Sequence, residues 1–356
     1  MSRELSRRDF VEGSVAALAG LSAACRRAPD SAPASGSGPL ERELAIYNWS
    51  DYIGDTTIAD FERETGVRVV YDTYESNEDV IAKLQAGATG YDLVFPTGYA
   101  VRVLRALDLL VPIDRSALTE HWANLDPRFL GTPVDPQNEY TVPWLWGSSG
   151  LAIRTDLVRD RPDTWGVFHD PRFRGKMTQL DDMRDVIGAW LKFRGHSLNS
   201  TVPAELEQAK ADAILAKRNL KSYVSAPVKA QLIAGDVWIA HLWNGDTAQA
   251  RAANPAIEYV HPREGSMINL DSMCMPRGGR SPRAAHAFMN FVLRADQAAA
   301  ISRRTGYGTP NAAALAADAS LLRPPTDEEM TRLEYQDDLG AATTEWDRVW
   351  TEIKAA

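Results

Sequence analysis

Leu44-Ala45-Ile46-Tyr47, then Thr57 to Glu64 closed by Gly66, then Val67-Arg68-Val69-Val70-Tyr71: the alternation in this stretch decides the fold. The first and third pieces are short, apolar and rich in β-branched or aromatic residues, as buried strands are. The middle piece reads as a helix stopped by glycine. Ser76 or Asn77 then caps a second helix, with Val80, Ile81 and Leu84 at helical spacing before Gly87. Tyr91 to Phe95 follows as another buried strand, giving βαβαβ. Such an alternation predicts an α/β fold, a mostly parallel sheet flanked by helices, with ligands gathering at the carboxyl ends of its strands.

A second series starts near Trp146. It runs through Leu151-Ala152-Ile153, Lys176-Met177-Thr178, a helix over Met183 to Phe193, a charged helix over Ala204 to Lys217, and a strand over Val237 to Ala240. Ile257 to Val260 and Met273 to Met275 read as further strands, and Pro282 to Leu293 as an amphipathic helix. Two α/β lobes of roughly 150 residues each suit the 356-residue chain better than one core. Facing lobes make a cleft in which a small ligand can be buried by hinge closure.

Ahead of the body, Ser6-Arg7-Arg8-Asp9-Phe10 precedes the apolar run Val15 to Leu21, and small residues lead into Cys25. Residues 1–25 read as a twin-arginine export signal built on Arg7 and Arg8. Ser22-Ala23-Ala24-Cys25 resembles a lipobox, which makes Cys25 the lipid anchor; plain signal-peptidase cleavage after Ala24 is the alternative. Residues 26–40, rich in Ala, Pro, Ser and Gly, form a flexible linker. With Cys25 lipidated, Cys274 has no partner among the two cysteines, and no disulfide is expected. The expected location is periplasmic.

The net charge of −9 argues against nucleic acid and against an anionic membrane surface as partner, because both select basic patches. Membrane contact is expected only through the N-terminal lipid. The body carries no G-x-S-x-G, H-E-x-x-H, P-loop or strand-linked G-x-G-x-x-G motif, and the six histidines lack metal-ligand spacing. A binding protein is expected, not an enzyme, with no cofactor and no metal.

What the body does carry is aromatics and carboxylates at predicted strand ends: Asn48-Trp49-Ser50-Asp51-Tyr52, Pro96-Thr97-Gly98-Tyr99, Asp181-Asp182-Met183-Arg184-Asp185, Leu242-Trp243-Asn244-Gly245-Asp246 and Asn269-Leu270-Asp271. An alkyl polyammonium needs carboxylates for its nitrogens, neutral acceptors for spare N–H donors, and aromatic faces for its methylenes. Singly, each residue has a structural role open to it. Trp49 and Trp243 suit a core, Asp182 suits the cap of the helix beginning near Met183, and Asp185 with Arg184 suits a first-turn charge pattern.

Several segments together resemble the periplasmic spermidine/putrescine-binding proteins of bacterial ABC importers. They are Ala45-Ile46-Tyr47-Asn48-Trp49-Ser50-Asp51-Tyr52, Tyr74-Glu75-Ser76-Asn77-Glu78, Tyr91-Asp92-Leu93-Val94-Phe95-Pro96 and Asn124-Leu125-Asp126-Pro127. Trp243-Asn244-Gly245, Gly306-Tyr307-Gly308-Thr309-Pro310-Asn311 and Tyr335-Gln336-Asp337-Asp338-Leu339-Gly340 extend the likeness over nearly the whole body. The resemblance implies a two-lobed periplasmic-binding-protein-like fold with hinge crossings, lobe 1 being 41–145 plus 271–315 and lobe 2 being 146–270 plus 316–356. It implies a monomer that captures a polyamine and delivers it to an ABC permease complex. Trp49 and Tyr52 would line one wall, Thr97 and Tyr99 would offer hydroxyls, and Asp271 would bind an ammonium. Asp182 and Asp185 would face cationic nitrogens, Trp243 would stack on the alkyl chain, and Tyr307 and Gln336 would add polar contacts.

Two positions depart from the family pattern. Asp185 stands where the spermidine-selective pattern has Glu, and Asn269 stands where an aromatic normally clamps the methylene chain. A more polar amine, such as an amino sugar or amino-acid derivative, is therefore an alternative ligand. A cleft hydrolase using Asp182 and Asp185, and a sensory lipoprotein, are alternative functions.

Overall fold

The computed structural model describes residues 38–87, 90–225 and 227–356. The signal read at Arg7 and Arg8 and the anchor read at Cys25 lie outside the described residues. The strands are β1 (Glu43–Trp49), β2 (Arg68–Tyr74), β3 (Leu93–Val94), β4 (Leu110–Val111), β5 (Val142–Arg154) and β6 (Met177–Gln179). They continue with β7 (Leu220–Tyr223), β8 (Ile239–Trp243), β9 (Ile257–Val260), β10 (Ser266–Met273), β11 (Met275–Pro276) and β12 (Leu333–Tyr335).

The opening βαβαβ forms as its sequence dictates. The helix Thr57–Thr65 buries Phe61 and ends where Gly66 takes φ 72°, a left-handed conformation open to glycine, and returns its N–H to the Glu62 carbonyl. The helix Asn77–Gln85 starts at Ser76, whose hydroxyl accepts the Asp79 N–H at 3.1 Å. Strands β2, β1 and β3 pair in that order, all parallel. The second sheet runs β12-β10-β5-β8-β6-β7, with β9 also on β5. Its pairing is mixed: β6–β7, β6–β8 and β10–β12 are parallel, whereas β5 runs antiparallel to β8, β9 and β10. The expectation of mostly parallel pairing thus fits the first sheet, and the second departs from it because β5 runs counter to each strand beside it.

Two large apolar clusters organise the body. One joins Leu44, Ile46, Phe61, Leu93 and Phe95 to Phe288, Met289 and Phe291 of the helix Pro282–Val292. The other joins Leu151, Ile153, Trp165, Trp190, Ile239 and Leu242 to Trp346, Val349 and Ile353 of the final helix Thr343–Ala355. Strand β5, 13 residues long, feeds both: Val142, Trp144 and Leu145 enter the first cluster, and Leu151, Ala152 and Ile153 the second. Its neighbour β10 contributes Met273 to the first cluster and pairs with β12 at Ser266–Ile268. The seam between clusters is where the strand-end loops meet.

Candidate functional site

On one side of the seam the helix Met183–Phe193 begins at Asp182, whose Oδ1 accepts the Asp185 N–H at 2.9 Å. The capping role open to Asp182 is thus taken, and it fixes Asp185 in the first turn, where helix-end N–H groups favour negative charge. Asp185 is only 4% exposed. Its Oδ2 accepts the Trp243 indole N–H at 3.2 Å, the Ser149 hydroxyl also bonds to it, and its Oδ1 has no partner among the described residues. Burial first, and the like charge of Asp182 second, push the Asp185 carboxyl well above the usual carboxylate range. His241 lies 3.8 Å from Oδ1, but burial lowers its pKa to about 3, so it offers no cation.

On the other side, Asp271 of β10 stands opposite Thr97 in an isolated antiparallel bridge. The Tyr52 hydroxyl donates to Asp271 Oδ2 at 2.6 Å, and Thr97 bonds to the carboxylate through its side chain. Asp271 Oδ1 is shut off from solvent and has no partner among the described residues. Burial raises the Asp271 pKa to about 6, with the two hydroxyls pulling the other way. A buried carboxylate oxygen left unpaired costs about 1–3 kcal/mol or more, and a cation removes that cost. The seam thus holds two such oxygens, one on each side.

Aromatic rings bridge them. Tyr52 and Tyr307 meet edge to face, 5.0 Å between centroids. The Tyr307 ring lies so close over Gly245 that a Cβ there would come within 2.2 Å of it. Trp49 is held beside this group, its indole N–H donated to the Phe95 carbonyl at 2.8 Å and its ring 4.6 Å from that of Tyr74. Tyr99 is tied to Glu78 through its hydroxyl at 3.2 Å and lies under the Arg184 guanidinium, 5.4 Å from its centroid. Asn269 Nδ2 donates to Gln336 Oε1 at 3.3 Å, a polar pair on β10 and just after β12.

The expected residues therefore fall into linked groups: Tyr52, Thr97, Asp271 and Tyr307; Asp182, Asp185 and Trp243; and Asn269 with Gln336. Sequence reasoning left four participants out of the expected site. Ser149 reaches Asp185 from the middle of β5, and Asp246 sits where Tyr307 can reach it. Arg184, to which a first-turn charge pattern with Asp185 was open, is 7% exposed and donates to the Asp337 carbonyl and Asn199 Oδ1, both at 2.8 Å. Asp337 in turn forms an ion pair with Arg102 across the seam. Lys229 lies on the short helix Val228–Ala234 and looks in sequence like any solvated lysine. Of these, Arg184 and Asp246 carried a signal, their places in strand-end stretches.

Residues 56–328 match the family model described as bacterial extracellular solute-binding protein. The chain belongs to that family. This solute-binding protein is 35% identical over 321 residues to the spermidine/putrescine-binding periplasmic protein of Escherichia coli K12, covering 88% of this chain and 91% of the relative. It is 32% identical over 335 residues to the putrescine/cadaverine-binding protein of Pseudomonas aeruginosa, covering 88% and 93%. Among solved structures, the spermidine/putrescine ABC transporter substrate-binding protein of Streptococcus pneumoniae superposes with a TM-score of 0.77 at 31% identity, covering 88% of this chain and 99% of that one. The α/β, two-lobed architecture expected from sequence is the architecture of this family.

Proposed function

We propose that this solute-binding protein captures a polyamine of the putrescine and spermidine class between its lobes and delivers it to an ABC importer from the periplasmic side of the membrane. The observation that carries the reading is the pair of half-satisfied carboxylates, Asp185 and Asp271, facing one seam from opposite sides with tyrosine and tryptophan rings between them. Ammonium groups complete both carboxylates, and the rings cover the methylenes. Ligand contacts to both sides at once stabilise the closed arrangement over the open one, which is the only way a ligand drives closure. The lobes of the proposal are 41–145 plus 271–315 and 146–270 plus 316–356.

Calorimetric titration of the mature body with putrescine, cadaverine, spermidine, amino acids and amino sugars tests the reading. Heat of binding is expected with the alkyl polyamines; heat with amino sugars or amino acids alone would replace the polyamine by a more polar amine. That second reading is favoured by one feature, the Asn269–Gln336 pair, which puts amides where the family pattern has an aromatic clamp.

The proposal includes export through Arg7 and Arg8 and a lipid at Cys25. Cys25→Ser is expected to move the protein from the membrane fraction to the soluble periplasmic fraction. An unchanged distribution between fractions would remove the anchor.

A further inference from the structure

A further carboxylate, Asp246, lines the same seam, and unlike Asp185 and Asp271 it is already paired on both oxygens within the chain. Asp246 Oδ1 lies 2.9 Å from the Lys229 ammonium, and its Oδ2 accepts the Tyr307 hydroxyl at 3.5 Å. Tyr307 is the ring that meets Tyr52, and Tyr52 holds Asp271. Asp246 is thus one residue removed from the row of groups proposed to hold the ligand. Lys229 is fixed in place: its Nζ also donates to Gln249 Oε1 at 2.9 Å and lies 3.8 Å from Asp51 Oδ2 across the seam. Gln249 in turn donates to the Thr305 carbonyl at 2.7 Å, two residues before Tyr307. Burial raises the Asp246 carboxyl while the lysine draws it back down.

We infer that Lys229 is a selectivity residue, a tethered ammonium that occupies Asp246 beside the row and thereby limits the ligand to two ammonium groups. The inference rests on the polyamine reading and deepens it. A primary ammonium on a four-carbon stem is the chemical equivalent of one end of an alkyl polyamine. With Lys229 on Asp246, the acids of the row that keep a solvent-shielded oxygen without a partner among the described residues are Asp185 and Asp271, while Asp182 gives one oxygen to its helix cap. A diamine satisfies both. A triamine must push its third charge against Lys229 or displace it from Asp246, Gln249 and Asp51, a penalty of the kind that builds specificity by rejecting a competitor.

The test compares calorimetric affinities for putrescine, cadaverine and spermidine in wild type, Lys229→Met and the double variant Lys229→Met/Asp246→Asn, each checked for folding by thermal melting. Wild type is expected to favour the diamines over spermidine at least tenfold. Lys229→Met, which frees Asp246, should shift the spermidine-to-putrescine ratio at least tenfold toward spermidine. The double variant, with no carboxylate to offer, should lose that gain. Lys229→Gln serves if the Met variant melts early. A folded single variant that binds putrescine with an unchanged ratio overturns the assignment, as does a spermidine gain that persists without Asp246. A wild type that binds none of the three amines overturns the polyamine reading itself, and the Lys229 assignment with it.

Discussion

Replacing Asp271 by Asn is expected to weaken putrescine or spermidine binding by about 30-fold to several thousand-fold while leaving the ligand-free protein as stable as before. The loss follows from removing one partner of a desolvated, hydrogen-bonded charge pair, which costs about 2–5 kcal/mol, with each 1.4 kcal/mol worth a factor of ten. The amide keeps the shape of the side chain and an oxygen for the Tyr52 hydroxyl, so local packing is retained. The stability side has a definite sign. Because burial raises the Asp271 pKa to about 6, the folded, ligand-free protein holds the neutral acid to higher pH than the unfolded chain, so stability is lost as pH rises from about 4 through 6 and the loss is complete above that. Asn removes this penalty. At pH 7.5 the ligand-free variant should therefore melt at the same temperature as wild type or higher. Calorimetric titration paired with thermal melting checks both halves. Wild-type affinity in the variant, or a large fall in its ligand-free melting temperature, would remove Asp271 from the site.

Affinity is expected to rise at least tenfold between pH 5 and pH 7, with proton release on binding over the same range. An alkylammonium, like the lysine side chain, stays protonated below about pH 10, so the ligand's charge is constant. The titrating groups are the protein's. A bound cation favours the ionised carboxylate, and below pH 6 Asp271 must first give up a proton, which costs a factor of ten per pH unit. Asp185, raised by burial and by the like charge of Asp182, extends the rise further toward alkaline pH. Titrations in two buffers of different ionisation enthalpy measure the protons released. Affinity independent of pH from 5 to 7 would show that neither carboxylate takes part.

Much of the site could be read from residue order because its members sit at strand ends, where an aromatic or acid next to a glycine stands out. The helix stop at Gly66, the cap at Ser76 and the helix from Met183 are local events, set by residues within one turn, and they fall where the sequence places them. The strand predicted at Val237–Ala240 instead spans Ile239–Trp243, so Trp243 ends the strand and does not follow it. The largest miss was β5. Its 13 residues were read only as Leu151–Ile153, because a strand buried in two successive cores shows neither alternation nor a single apolar run. The contributions of Arg184 and Lys229 were illegible for another reason. A long cationic side chain on a helix declares nothing about its partner, and theirs lie far along the chain: Arg184 reaches Asp337, and Lys229 reaches Asp51 across the seam.

The way β5 serves both apolar clusters bears on how such a protein can be altered. Val142 to Leu145 and Leu151 to Ile153 belong to one uninterrupted strand that lies in both clusters. Neither half owns a complete set of strands. A lobe is thus not a cassette that can be exchanged with that of a relative at a single junction. New specificity has to be installed side chain by side chain along the seam, on a frame that both halves hold in common.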